Sequence, residues 1–273
     1  MKYSIPLTGY VKWAVLLLAL SPAPVLACEA AQVESVLHAA YPQAQRAGSN
    51  SLQRVDGSSS IVLSEVACKQ WPARPELLLL AVPLWTAIDP DGLSTGDLEV
   101  IVADIDRASV RARYREHGRL DSDAWYFNGV SLDTARYQLT DDLRAFGTRV
   151  EFRGSSRVNP RRESSLTLYV LREHTLEPVL QQLIVDTSAA EWDGRCTGEW
   201  AQLQRMVAVV PGKGSGWADL AVRSLTTRST TRDIEGECVE SETKSSTVDR
   251  IRFDGRAYPI PARLADWPNV VDG

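Results

Sequence analysis

The feature that most restricts the fold is a succession of short apolar and β-branched runs, which begins near Ile61 and continues to Phe253. Turn-forming Gly, Pro, Asn and Asp residues separate the runs, and strands at this spacing are typical of antiparallel all-β proteins. The sequence therefore predicts a mainly β fold of hairpin-rich modules, arranged as blades or as a sandwich. The segment LEPVLQQLIV (176–185) fits either a strand or a short helix. The clear runs are SIVLSEVAC, ELLLLAVPLW, DLEVIVADI, ASVRARYRE, RVEFR, SLTLYVL, MVAVV, DLAVRSLTTRSTTR and TVDRIRF.

One amphipathic helix is predicted before the first strand, over residues 29–41. Apolar residues recur there at the three- and four-residue spacing of a helix face. Pro42 ends the helix, because the residue before a proline is pushed out of the helical region. The polar stretch 47–60 then predicts a loop. The apolar positions of the helix are Ala30, Val33, Val36, Leu37, Ala40 and Tyr41.

Residues 1–27 have the pattern of a secretory signal peptide. Lys2 and Lys12 flank a polar start, the apolar run 13–20 follows, and SPAPVLA supplies helix-breaking prolines and small residues before a cleavage site. Eight helical residues rise only about 12 Å, far less than the ~30 Å hydrocarbon core of a bilayer. The chain also has no run of apolar residues long enough for a transmembrane segment. The sequence therefore predicts export to the periplasm or beyond.

The four cysteines favour two disulfides in the mature protein. Pairing them in sequence order, Cys28 with Cys68 and Cys196 with Cys238, closes two loops of about forty residues, each worth about 4 kcal/mol in the chain-entropy model. An alternative stays open, because Val25–Cys28 loosely resembles a lipoprotein signal in which Cys28 carries the lipid anchor. Lipidation would leave an odd number of cysteines in an oxidising compartment, which favours the disulfide interpretation.

Matching motifs indicate an internal repeat. A cysteine precedes a proline by fifteen positions in both halves, at Cys68 and at Cys196, and an Asp-Leu-x-Val motif follows each time, from Asp97 and from Asp219. We read two copies of a hairpin-rich module, roughly 60–135 and 188–262. The predicted organisation is a signal peptide over 1–27, the helix with a first β module over 28–135, a connecting β segment over 136–187, and a second β module over 188–273.

Several of these segments together resemble a family of uncharacterised exported bacterial proteins. The resemblance covers most of the mature chain and implies export, but it implies no activity. The ending RFDGRAY is also similar to blade-like β modules of cell-envelope proteins. The motifs that carry the main resemblance are CKQWPARPELLLLAVPLW, DSDAWYFNG, LDTARYQL, RAFGTRVEFRGSSRVNP, EWDGRCTGEW and GWADLAVRS.

The charge balance argues against a nucleic-acid partner. The chain carries 30 Lys+Arg against 35 Asp+Glu, a net charge of −5, and removing the two lysines of residues 1–27 makes it −7. Binding to phosphate backbones requires a basic surface. Against this acidic background, four arginines in the segment RGSSRVNPRR stand out. Arginine forks suit carboxylate or phosphate groups, so these residues are the predicted binding site for an anionic ligand or another envelope protein. They are Arg153, Arg157, Arg161 and Arg162.

No catalytic motif is complete. The three histidines, His38, His117 and His174, lie far apart in the sequence and have no partner at metal-ligand spacing. Ser241 and Lys244 have the Ser-x-x-Lys spacing of acylating hydrolases, but their surroundings are polar and predict a solvated loop. GKGSG (212–216) departs from the phosphate-binding loop pattern and from the nucleophile elbow, and predicts a hairpin turn.

Two acidic groups are weaker candidates. Residues 89–97 contain three aspartates but lack the ligand alternation of a calcium loop, so a turn is predicted there. Glu191, Asp193 and Glu199 surround Cys196 together with Trp192 and Trp200, a composition that would suit sugar binding or glycoside hydrolysis at a suitable carboxyl separation. A turn with core tryptophans explains the same residues.

The sequence thus favours a non-catalytic periplasmic binding protein, such as an inhibitor or immunity-type partner of an envelope protein, with no cofactor and no metal. The alternatives are a structural or accessory envelope protein and, less favoured, a carboxylate-dependent envelope hydrolase.

Overall fold

A computed structural model describes residues 28–53, 59–88, 94–122, 125–213 and 216–265. Within these ranges the chain forms fourteen strands in two antiparallel sheets, with a short helix near each end. The predicted mainly β fold and its N-terminal helix are confirmed. No helix in the described ranges is long and apolar enough to cross a membrane.

The first sheet has seven strands in the order β1-β2-β3-β5-β6-β7, with β4 paired to β5. Its strands are β1 (Gln45–Arg46), β2 (Ser51–Gln53), β3 (Ser60–Val62), β4 (Ala67–Gln70), β5 (Leu77–Ile88), β6 (Ser94–Asp104) and β7 (Val110–Ser122). The second sheet has seven strands in consecutive order. They are β8 (Trp125–Gln138), β9 (Arg144–Gly154), β10 (Arg161–Arg172), β11 (Thr175–Trp192), β12 (Gly198–Val210), β13 (Asp219–Ile234) and β14 (Glu237–Ile251).

Helix α1 (Ala30–Ala40) covers one face of the first sheet. A capping box begins the helix, because Glu29 and Gln32 each bond the other's backbone N–H and so satisfy two groups that lack a helical partner. Val36 and Leu37 are fully buried in a cluster with apolar residues of β5 and β6. The disulfide between Cys28 and Cys68 joins the start of the helix to β4.

The other face of the first sheet packs against the second sheet. Trp71 and Leu79 meet Phe146 and Tyr169 in one fully buried cluster, and the rings of Trp71 and Phe146 lie 5.1 Å apart edge to face. Side chains alternate across a strand, so the odd-numbered residues of β10 fill this inter-sheet layer. Its even-numbered residues enter a second core.

That second core is enclosed because the second sheet curls on itself. The backbone N–H of Ala218, just before β13, donates to the carbonyl of Leu139, just after β8, over 2.7 Å. The C-terminal segment with helix α2 (Ala262–Ala265) completes the enclosure. There the Tyr258 hydroxyl donates to the Ala218 carbonyl over 2.7 Å, and the Arg205 guanidinium donates to the Leu264 carbonyl over 2.7 Å.

A buried polar network links the two sheets. On β7, the Glu116 carboxylate accepts a hydrogen bond from Tyr169 on β10, and the Arg119 guanidinium donates to the Ser165 hydroxyl, also on β10. Burial raises the pKa of the Glu116 carboxyl, while the Tyr169 bond and the nearby Arg119 charge oppose that rise. Because both acid and base are buried between the sheets, losing either hydrogen bond would leave a buried polar group without its partner.

Some elements differ from the sequence prediction. The ambiguous segment 176–185 lies in β11, and the predicted loop 47–60 contains β2. The polar stretch around Ser241 belongs to β14, so the predicted loop there is wrong; pairing with β13 makes it a strand. The two sheets divide between β7 and β8, whereas the predicted first module runs to residue 135. The internal repeat remains a prediction.

Candidate functional site

A groove of about 510 Å³ lies on the solvent face of the second sheet, toward its hairpin ends. Its floor crosses the four strands β11 to β14. The β9–β10 loop lies beside β11 like a fifth strand, because the backbone carbonyls of Val158 and Pro160 accept hydrogen bonds from N–H groups of β11 over 3.1 Å. With strands spaced about 4.8 Å apart, the groove is about 19 Å wide. It is lined by Arg157, Val158, Pro160, Ala190, Glu191, Trp192, Gly198, Glu199, Trp200, Ser229, Thr231, Glu240 and Glu242.

The register of the strands places the groove's side chains in two rows. Trp200 is paired with Ala190 on one side and with Ser229 on the other, and Ser229 is paired with Glu242. The second row runs through Trp192, Gly198, Thr231 and Glu240 in the same way. Partners in a ladder project to the same face, so each row changes from apolar to hydroxyl to acidic across the sheet.

The apolar end of the groove holds the two tryptophans. Trp192 is 49% exposed, and Val158 beside it is 50% exposed. Gly198 makes room for the Trp192 ring: a Cβ at this position would lie 3.0 Å from Trp192 Cδ1 and 2.8 Å from the carbonyl oxygen of Glu191. A half-exposed indole beside proline and valine is a surface that an apolar side chain of a ligand can cover.

The charged side chains on the groove's face of the sheet stand at opposite ends. Glu191 and Glu199 also line the groove, but they alternate with the tryptophans along β11 and β12, so their side chains project to the other face. Arg157 lies in the β9–β10 loop, whereas Glu240 and Glu242 project from β14. Lys244 Nζ approaches Glu242 Oε1 to 2.7 Å, so of these two β14 carboxylates Glu240 is the one without an ion pair within the described residues. The groove can therefore receive a cationic group at its β14 end and an anionic group at its loop end.

A disulfide joins the β11–β12 hairpin to the β13–β14 hairpin at the end of the sheet where the groove lies. Cys196, in the β11–β12 loop, is bonded to Cys238, near the start of β14. In the same loop Asp193 accepts hydrogen bonds from the backbone N–H groups of Arg195 and Thr197 over 2.8 and 3.1 Å, which lower the pKa of its carboxyl. Asp193 thus forms the predicted turn. It is not among the groove-lining residues.

The four predicted binding arginines have different surroundings. Arg157 lines the groove. Arg162 pairs with Asp186 over 2.8 Å, and Arg153 is its cross-strand neighbour. The Arg161 guanidinium lies 4.9 Å from the centre of the Trp125 ring, a cation–π contact. Only one of the four arginines therefore belongs to the groove, although all four lie within ten residues of sequence.

The acidic candidates also separate. Glu191 and Glu199 are directly opposite each other on β11 and β12 and are both exposed. Asp97 accepts a hydrogen bond from the Gly118 backbone N–H over 2.8 Å and lies 3.1 Å from Nδ1 of the exposed His117. The aspartates at 89 and 91 lie outside the described residues, as does part of GKGSG.

The Ser241–Lys244 motif is not assembled. Residues three apart on a strand project to opposite faces, and here Ser241 lies 2.7 Å from the Thr230 hydroxyl while Lys244 pairs with Glu242. Across the described ranges, no group of three or more His, Cys, Asp or Glu side chains is placed to hold a metal ion.

The sequence does not identify half of the groove residues. Arg157, Trp192 and Trp200 are singled out by the sequence, but the β13 and β14 residues are not. The run ending in TTRSTTR is predicted as a strand, but nothing in it marks the groove residues of β13 as a site. The β14 stretch ESETKSST is polar on both faces, so its sequence fits a solvated loop as well as a strand. The sequence feature that indicates a hairpin between β13 and β14 is the Glu235–Gly236 pair, which forms a two-residue turn with both φ angles positive.

Comparison of the chain with protein-family models, with curated proteins and with solved structures returned no match.

Proposed function

We propose that the protein is a non-catalytic binding protein of the bacterial periplasm, and that its groove binds an exposed segment of another envelope protein. One observation carries this proposal: residues from five separate segments converge on a groove that is apolar at one end and charged at both. An inhibitor or immunity-type partner needs such a preformed surface, because little entropy is then lost on binding.

The dimensions suit an extended peptide. A segment lying across the strands would need about six residues to span ~19 Å at about 3.3 Å per residue. Its apolar side chain would cover Trp192 and Val158, and a lysine or arginine would face Glu240. A carboxylate near the other end would face Arg157, whose planar guanidinium binds carboxylates through two parallel hydrogen bonds.

The proposed location follows from the N-terminal pattern and the disulfides. Disulfides persist in oxidising compartments such as the periplasm. Cys28 is bonded to Cys68, so its thiol is not available to carry a lipid anchor, and a protein without that anchor is favoured over the lipoprotein alternative.

The test is quantitative capture of proteins from an envelope extract by immobilised wild-type protein and by variants. Trp192→Ala and Arg157→Ala should each lower the yield of the same captured protein at least tenfold. Met206→Ala is the matched control on the same sheet face, since Met206 is 65% exposed and lies outside the groove. Arg153→Ala controls for the arginine cluster.

Two results would contradict the proposal. If Arg153→Ala lowers capture as much as Arg157→Ala does, the arginine cluster is the binding site and the groove is not. If no groove variant changes what is captured, the structural or accessory role becomes the better explanation. Melting curves must match across all variants, so that loss of folding is excluded.

A further inference from the structure

The outer edge of β14 is a long unpaired strand edge. β14 pairs with β13 over its whole length, from Glu237 to Ile251, without a register shift. No strand within the described ranges pairs with its other side. Its residues are exposed from Glu237 through Thr247, so neither side of the strand is covered. Such an edge is a template for another strand.

The turn determines which residues use the free edge. Glu235 and Gly236 have φ angles of 56° and 88°, the signature of a two-residue I′ turn, in which the flanking pair Ile234–Glu237 is hydrogen-bonded. Hydrogen-bonded pairs alternate along an antiparallel ladder. Odd-numbered residues of β14 therefore bond to β13, and even-numbered residues point their N–H and C=O groups to the free edge.

Most natural edges are protected by a proline, a bulge or unfavourable charges. β14 contains no proline and no bulge. It does contain charges, but the central two are opposite in sign and two positions apart, Glu242 and Lys244, on one face and 2.7 Å from each other. Opposite charges two positions apart complement a second, antiparallel copy of the same strand.

We propose that two copies of the protein pair through their β14 edges, antiparallel and about a twofold axis at Thr243. In this register Glu242 of each copy faces Lys244 of the other, and even-numbered residues face even-numbered residues, as the free hydrogen-bonding groups require. Moving the axis to residue 242 or 244 would place Glu242 opposite Glu242 or Lys244 opposite Lys244 at the centre of the interface. The like charges that the Thr243 axis brings together, Glu237 and Asp249, lie at its two ends, where Asp249 already pairs with Arg263. The second sheet of one copy and the second sheet of the other then form one continuous sheet. The proposal is argued from the strand edge and not from the groove's ligand, although Glu240 and Glu242 also line the groove.

The test is sedimentation of the full mature protein across the concentrations where weak interfaces form, about 1 µM to 1 mM. The wild type should double in mass with rising concentration. Glu242→Lys and Lys244→Glu should each weaken the dimer at least tenfold, because like charges then face each other. The double variant Glu242→Lys/Lys244→Glu should restore the dimer. Glu240→Lys, which faces Ser246 of the second copy, is the matched charge-reversal control.

A backbone variant tests the edge independently of charge. Ser246→Pro removes an N–H that points to the free edge and none that bonds β13, so the hairpin should form while the dimer weakens at least tenfold. Circular dichroism and an intact Cys196–Cys238 bond report folding. A protein that stays monomeric at every concentration overturns the proposal and leaves the edge for a different protein's strand. A dimer that none of these variants affects also overturns it.

Discussion

Removing one hydroxyl between the sheets should destabilise the protein in a pH-dependent way. Tyr169 is fully buried, its hydroxyl donates to the Glu116 carboxylate, and it lies 3.2 Å from the Thr148 hydroxyl. Burial and the neighbouring carboxylate raise the pKa of Tyr169, so the hydroxyl keeps its proton. A hydrogen bond to a charged group contributes about 1.5–3 kcal/mol net, so Tyr169→Phe should cost about 2 kcal/mol when Glu116 is ionised.

The sign of the pH dependence follows from Glu116. Its pKa is raised in the folded protein above the ordinary value of 4.5, mainly by burial, so the free energy of unfolding falls as pH rises through that interval. The Tyr169 bond limits this rise, and its loss moves the pKa of Glu116 further up. The variant therefore loses more stability than the wild type as pH rises. The difference in unfolding free energy between wild type and Tyr169→Phe should shrink to about 1 kcal/mol near pH 4.5, because the Glu116 carboxyl is protonated there and the lost hydrogen bond is a neutral one.

Urea unfolding followed by circular dichroism, with the disulfides intact, measures both values. Tyr114→Phe is the matched control, because its ring lies 6.0 Å from that of Tyr169 but its hydroxyl makes no hydrogen bond to Glu116. A loss below about 0.5 kcal/mol at every pH would mean that the hydroxyl and carboxylate are not paired as described. An equal loss at pH 4.5 and pH 8 would refute the role given to Glu116 ionisation.

Three further predictions concern the groove and the first sheet. Gly198→Ala should cost about 1–3 kcal/mol, because its methyl group would overlap the chain around Trp192, and tryptophan fluorescence should shift as that ring moves. Glu199→Gln should raise stability by about 0.5 kcal/mol at low salt by removing repulsion from Glu191 directly opposite, and the gain should vanish in 1 M salt. Glu99→Gln should cost about 3 kcal/mol at pH 7, since the carboxylate is buried between two arginines. Although burial tends to raise the pKa of Glu99, hydrogen bonds from Arg113 and Tyr41 lower it below 4.5. The cost of the substitution should therefore be fully present above pH 4.5 and disappear as the pH falls through the lowered pKa of Glu99. Chemical unfolding at several pH values measures this dependence.

The sequence predicts those strands whose apolar residues are buried. β5 and the middle of β6 are mostly apolar, because helix α1 covers one face and the second sheet covers the other, and a short apolar run such as LLLLAV between turn signals is typical of a strand buried on both faces. The helix is likewise predictable, since its apolar face is a local pattern.

The elements that the sequence does not predict owe their form to partners. β14 is polar on much of both faces and is a strand because β13 supplies its hydrogen bonds. In β8 a register shift between Phe127 and Gly129 breaks the alternation that would mark its buried face. The groove is harder still, since it is a product of register: Trp200 and Glu242 are far apart in sequence and share a row only through Ser229. Local motifs identified some of its residues and none of its shape.

Site-specific photocrosslinking in intact cells measures whether the groove is the binding surface. A photoreactive residue at Val158 or at Thr231 reports the groove, whereas one at Met206 reports the exposed face beside it. If the groove binds the partner, we expect one crosslinked protein of the same mass from both groove positions and none from Met206. Equal crosslinking from Met206, or none from either groove position, would contradict it.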